Sequence, residues 1–167
     1  TFEIGPQVDV TFWRSENRAR FLKLLLPLRA AVTVEGSPKS IGWVFHPKLN
    51  MDITDIPGMA GWNLGMLAGP VFGDKRQHAY YYAVAPQYAT ADRPAYEARA
   101  GYAGMQFLAS LSKRYPGYWV GGFVRYDNLS GAIFEDSPLV RKKDYLAGGI
   151  AITWVFGESS TRIKVND

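Results

Sequence analysis

The stretch Arg20-Phe21-Leu22-Lys23-Leu24-Leu25-Leu26-Pro27-Leu28-Arg29-Ala30-Ala31-Val32-Thr33-Val34 decides the fold class. Taken in steps of two, one half reads Leu22, Leu24, Leu26, Leu28, Ala30, Val32, Val34. The other half reads Phe21, Lys23, Leu25, Pro27, Arg29, Ala31, Thr33. A strand sends successive side chains to opposite faces, whereas a helix repeats every three or four residues, so this segment is an extended strand with one wholly apolar face.

The same two-faced pattern recurs along the chain. Phe2, Ile4, Val8, Val10 and Phe12 alternate with polar neighbours, and Ile41, Trp43, Phe45, Leu49 and Met51 do so between Ser40 and Asp52. Further strands are expected around Trp62–Phe72, Tyr80–Tyr88, Tyr102–Ser112, Tyr118–Asp127 and Leu146–Phe156. Alternation is poorer in Tyr80–Tyr88, where Tyr81, Ala83 and Ala85 are not polar. The pattern predicts about eight strands, most of them near the length that a tilted membrane strand needs.

The connections carry a second pattern. Glu35 to Lys39, Gly73 to Gln77 and Lys113 to Gly117 read as tight turns, while Arg14 to Ala19, Ile53 to Gly61, Thr90 to Ala100 and Asn128 to Asp144 are longer. Short and long links alternate, as in bacterial outer-membrane barrels with short periplasmic turns and long outer loops. That reading puts both ends of the chain on the periplasmic side. A soluble up-and-down barrel would alternate too, but with its apolar face turned inward.

Three features favour the membrane arrangement. The second face holds Gly, Ser, Asn, Gln, Lys, Arg and Asp, a poor filling for a dry core and a suitable one for a wet interior. Aromatic residues such as Trp13, Trp43, Trp62, Tyr80, Tyr88, Tyr118, Tyr126 and Trp154 fall near strand ends, as in an interfacial girdle. Closure of a barrel also satisfies backbone groups that hydrocarbon would leave unpaired. The expectation is therefore an all-β, antiparallel up-and-down transmembrane β-barrel over residues 1–156, with residues 157–167 as a C-terminal tail.

Composition narrows the chemistry. The chain has no cysteine, which excludes disulfides and thiol-based zinc sites. A net charge of +4 is modest and its Lys and Arg are scattered, so nucleic acid is not an expected partner. No phosphate loop, nucleophile elbow or metal-spaced cluster is present, and neither a cofactor nor a metal is expected. Of the two histidines, His78 is expected solvated or interfacial at the periplasmic rim. His46 shares a face with Lys48 and Asp52, and a hydrogen-bond network is favoured over catalysis there.

Six residues stand out as binding candidates. Arg125 and Asp127 project to the same side of one strand and are expected to pair within the lumen, holding the loop that follows. Asp136 lies in that loop beside Glu135, where two carboxylates are too few for calcium. Arg141, Lys142 and Lys143 form a basic run suited to the phosphates of lipopolysaccharide.

The segment Arg125-Tyr126-Asp127-Asn128-Leu129-Ser130-Gly131-Ala132-Ile133-Phe134-Glu135-Asp136-Ser137-Pro138-Leu139-Val140-Arg141 resembles the hallmark of the MipA/OmpV family. Further similarity lies at Gly42-Trp43-Val44-Phe45-His46-Pro47, Pro94-Ala95-Tyr96, Gly101-Tyr102-Ala103-Gly104 and Ile152-Thr153-Trp154-Val155-Phe156. The resemblance, to the C-terminal two-thirds of that family, implies a non-enzymatic outer-membrane barrel of Gram-negative bacteria, with further N-terminal strands in the full-length protein. It also implies a scaffold that links a murein lytic transglycosylase to a peptidoglycan synthase. Outer-membrane lipids and lipopolysaccharide complete the expected partners. A small-solute diffusion channel and a surface adhesin stay open as alternatives, with a lipid-modifying barrel enzyme behind them. Family barrels would end near Phe156, and the extension from Gly157 to Asp167 departs from that pattern.

Overall fold

The computed structural model describes residues 1–34 and 36–157. Most of them lie in one antiparallel sheet built from β1 (Phe2–Ile4), β2 (Gln7–Arg14), β3 (Arg20–Val32), β4 (Ser40–Phe45), β5 (Lys48–Ile53), β6 (Trp62–Gly73), β7 (Gly101–Tyr115), β8 (Tyr118–Asn128) and β9 (Asp144–Trp154). Among the described residues one α-helix, α1 (Lys75–Tyr82), and a short 3-10 turn at Pro86–Tyr88 interrupt the strands.

Two pairs of strands are halves of one pass. β1 and β2 both pair with β3, and β4 and β5 both lie between β3 and β6. Each pair is divided at a proline, Pro6 in the first and Pro47 in the second. Proline has no N–H for the ladder and a fixed φ, so the strand bends there and resumes. At the second break Gly69 of β6 lies so close that a Cβ would stand 2.1 Å from the Pro47 carbonyl oxygen. The sheet therefore crosses seven times.

The expected strand at Tyr80–Tyr88 is not formed. Asp74 instead caps a helix, its Oδ1 accepting from the Gln77 backbone N–H at 2.8 Å, and the residues as far as Tyr82 follow as helix. Gly73 to Gln77 is consequently the start of a long connection, 74–100, and not a tight turn. The links at one rim are then 15–19, 54–61 and 116–117, and those at the other are 33–39, 74–100 and 129–143. The two longest links, 74–100 and 129–143, gather at one rim, whereas 15–19 and 54–61, expected among the long outer links, lie at the opposite rim with the tight 116–117 turn.

An odd number of passes also corrects the placement of the two ends. Phe2 pairs with Val32 at the long-loop rim, whereas Trp154 pairs with Tyr118 at the short-turn rim. They do not share a side. The expected tail, apart from Gly157, lies outside the described residues.

Register divides the sheet into two faces of different chemistry. One carries Val8, Val10, Leu24, Leu26, Leu49, Met51, Met66, Ala68, Phe107, Ala109, Val124, Ile150 and Ile152 through its middle, with Arg20, Lys113 and Asp144 only at its margins. Large apolar groups on this face are open, Leu146 at 76% and Ile150 at 93% exposure. Along its short-turn margin stand Trp13, Trp62, Tyr115, Tyr118 and Trp154, the rings of Tyr115 and Tyr118 stacked at 4.7 Å. The opposite face carries Asp9, Lys23, Arg29, Lys48, Asn50, Asp52, Ser110, Gln106, Arg125 and Asp127. Among the described residues no helix is long and apolar enough to cross a membrane.

Candidate functional site at the long-loop rim

The polar face is covered at the long-loop rim by α1 and the 129–143 loop, and glycines make room for them. At Gly42 of β4 (φ +122°) a Cβ would stand 2.1 Å from Asp74 Oδ1 and 2.5 Å from the Gln77 amide nitrogen. At Gly73, where β6 ends, it would stand 2.4 Å from His78 Nε2, and at Gly104 of β7 (φ +117°) 2.4 Å from the Asn128 carbonyl oxygen. Approaches this close, to backbone or to packed side-chain atoms, leave no room for a Cβ, which is why these positions carry glycine.

Phe134 is the keystone of the cap. It is 2% exposed, its ring stacked on Tyr82 at 3.7 Å and set edge-on to His78 at 4.8 Å. Val84 and Ala98 of the 74–100 connection and Ala132 of the 129–143 loop are buried as well. The Ser137 hydroxyl donates to the Tyr82 carbonyl at 2.7 Å, and the Tyr96 hydroxyl donates to the Ile133 carbonyl at 3.3 Å. The loop is also sewn to β7 by the Ile133 N–H donating to the Tyr102 carbonyl at 2.8 Å. These bonds satisfy backbone groups that an irregular buried loop would otherwise leave unpaired.

His78 is fully buried, which corrects the expectation of a solvated residue at the periplasmic rim. Its Nδ1–H donates to the Arg99 carbonyl at 2.7 Å, which fixes the tautomer. Burial holds the imidazole pKa below its usual value, opposed by that backbone bond and by Asp74. The ring is therefore a neutral packing element at pH 7.

The six sequence-selected residues separate into distinct groups. Arg125 and Asp127 pair on the polar face, Nε to Oδ2 at 2.8 Å, and Gln106 Nε2 donates to the second carboxylate oxygen at 2.8 Å. Lys143 pairs with Glu135, and this hydrogen bond holds the Glu135 carboxyl below its usual range and lifts the Lys143 ammonium above its own. Asp136, Arg141 and Lys142 lie exposed on the loop. Among the described residues no bond joins these to the Arg125–Asp127 pair. Below them, the Tyr126 hydroxyl donates to Asp144 Oδ1 at 2.6 Å and Asn128 Nδ2 does so at 2.8 Å, closing the base of the loop.

The residues that build the cap, Phe134, His78, Tyr82 and Ser137, were not among those six. A signal was present in the apolar run Ala132-Ile133-Phe134 inside an otherwise polar loop. It pointed to a loop with its own core. Among the described residues no three His, Cys, Asp or Glu side chains converge as a metal site would require.

A family model described as MltA-interacting protein MipA matches residues 1–156. The chain belongs to this family. The MipA match spans all nine strands, α1 and the whole 129–143 loop, so sheet and cap are both parts of the family pattern. No curated protein and no solved structure matches the chain.

Proposed function

We propose that this chain is the lipid-embedded wall of a non-enzymatic outer-membrane scaffold, which holds a murein lytic transglycosylase and a peptidoglycan synthase at its periplasmic rim. The observation that carries the membrane reading is the unbroken apolar face over all seven passes, with its largest side chains open and its charges only at the margins. In water such a face would be a severe aggregation liability, and in hydrocarbon it is the favoured surface. The aromatic margin matches an interfacial girdle.

The two longest links, 74–100 and 129–143, share a rim and are read as the outer loops, which puts 15–19, 54–61 and 116–117 toward the periplasm. The MipA description names MltA as a partner of the family, and the periplasmic turns are the surfaces within its reach. Immobilised full-length protein is expected to retain a purified lytic transglycosylase of that class. Substitutions within 54–61 and 116–117 are expected to weaken retention, and those in the cap to leave it unchanged. Retention insensitive to every periplasmic turn would remove the scaffold reading.

A diffusion channel is the second reading, favoured by the charged groups Arg29, Lys48, Arg125 and Asp127 along the polar face. The packed cap at the long-loop rim weighs against it. Steady unitary currents in planar bilayers would establish conduction, and silence would favour the scaffold. At the outer rim, Arg141 and Lys142 are exposed cations suited to lipopolysaccharide phosphates.

A further inference from the structure

The apolar face is not smooth. Ala68 of β6 pairs with Phe107, and Met66 beside it pairs with Ala109 of β7, so two small side chains lie diagonally across one strand pair. Around them stand Leu49, Met51, Phe107, Val124 and Tyr126, enclosing a groove of about 470 Å³ with an almost wholly apolar lining. One wall ends at a polar margin. Tyr126 lines the groove and donates its hydroxyl to Asp144, and Arg141 and Lys142 lie exposed in the three residues before Asp144.

A slot lined by hydrocarbon, with exposed cations in the loop that follows its polar margin, has the chemistry to take a lipid bearing both acyl chains and phosphate. Burying methylenes in the slot removes the void that two alanines leave in the wall, and basic groups at the headgroup level attract phosphate. We propose that the groove seats one acyl chain of lipopolysaccharide, with its phosphates at Arg141 and Lys142. The assignment rests on the reading that this face meets lipid, and it adds a defined site to what would otherwise be a uniform surface.

The test reconstitutes the full chain into vesicles of phosphatidylethanolamine and phosphatidylglycerol, with and without lipopolysaccharide. Mild detergent then releases the protein, and native mass spectrometry identifies the lipid retained. Heat-dependent gel mobility reports insertion in the same samples. Wild type is expected to retain lipopolysaccharide. Ala109→Phe, which fills the groove, and the pair Arg141→Glu with Lys142→Glu, which leaves the groove intact, are each expected to retain roughly tenfold less while inserting normally. Inserted wild type that retains only phospholipid, or variants that retain as much lipopolysaccharide as wild type, would overturn the site alone. Wild type that does not insert at all would overturn the membrane reading and the site with it.

Discussion

Ile150 offers the sharpest test of which side of the sheet meets lipid. It lies midway along β9, opposite Gly122 of β8, and is 93% exposed. An arginine at mid-depth on a lipid-facing wall costs about 2–4 kcal/mol. At about 1.4 kcal/mol per decade, that is a loss of roughly thirty-fold to several hundred-fold in the ratio of folded to unfolded protein. On a water-facing surface, the same change at so open a position is worth no more than about 0.5 kcal/mol. The neighbouring residue supplies the control. Ala151 pairs with Gly121 and points to the opposite, polar face. Ile150→Arg and Ala151→Arg would be compared by denaturant titration of the protein in lipid vesicles, following heat-dependent gel mobility. Ile150→Arg is expected to lose the stated amount and Ala151→Arg to lose markedly less. Equal costs, or a larger cost at Ala151, would refute the assignment of faces.

The remaining predictions concern the cap. Phe134→Ala is expected to cost about 3–5 kcal/mol, drawn from the packing of its ring on Tyr82 and His78. Amide exchange should then accelerate in α1 and leave the β7–β8 ladder unchanged, and an undisturbed α1 would show that the ring is not what holds it. Gly73→Ala places a methyl group 2.4 Å from His78 Nε2, so α1 must shift, at about 1–3 kcal/mol in thermal stability. Burial lowers the pKa of His78 below 6.5, so an unfolded cap takes up a proton more readily than a folded one. Cap stability is therefore fully present above about pH 6.5 and falls as pH drops through that value toward the lower pKa of the packed ring. His78→Phe should abolish that dependence, as read by amide exchange in α1 from pH 7.5 to 5.

The sheet was legible because alternation is a local signal, carried two residues at a time. Leu22 to Val32 announces its apolar face without knowledge of any neighbour, and the same holds for β2, β6, β7, β8 and β9. The segment Tyr80–Tyr88 misled because it is apolar on both sides, a composition that suits a buried helix or loop as well as a strand. What settled it was Asp74, whose carboxylate caps a helix docked against Gly42 on a strand more than thirty positions earlier. The Arg125–Asp127 pair was legible because residues two apart on a strand share a face. The keystone role of Phe134 was not, because its partners Tyr82 and His78 come from a different connection.

By itself, the order of residues determined the strand character, the two chemically opposed faces and the family, since each depends on pattern within a short window. Tertiary structure alone decided the number of passes, the opposite placement of the two ends and the burial of His78. These depend on what the chain does at Pro6, Pro47 and Asp74 and on which distant surfaces then meet. A helix can replace a strand only where another element offers the space to receive it, and here that space is made by Gly42 on β4 and Gly73 on β6.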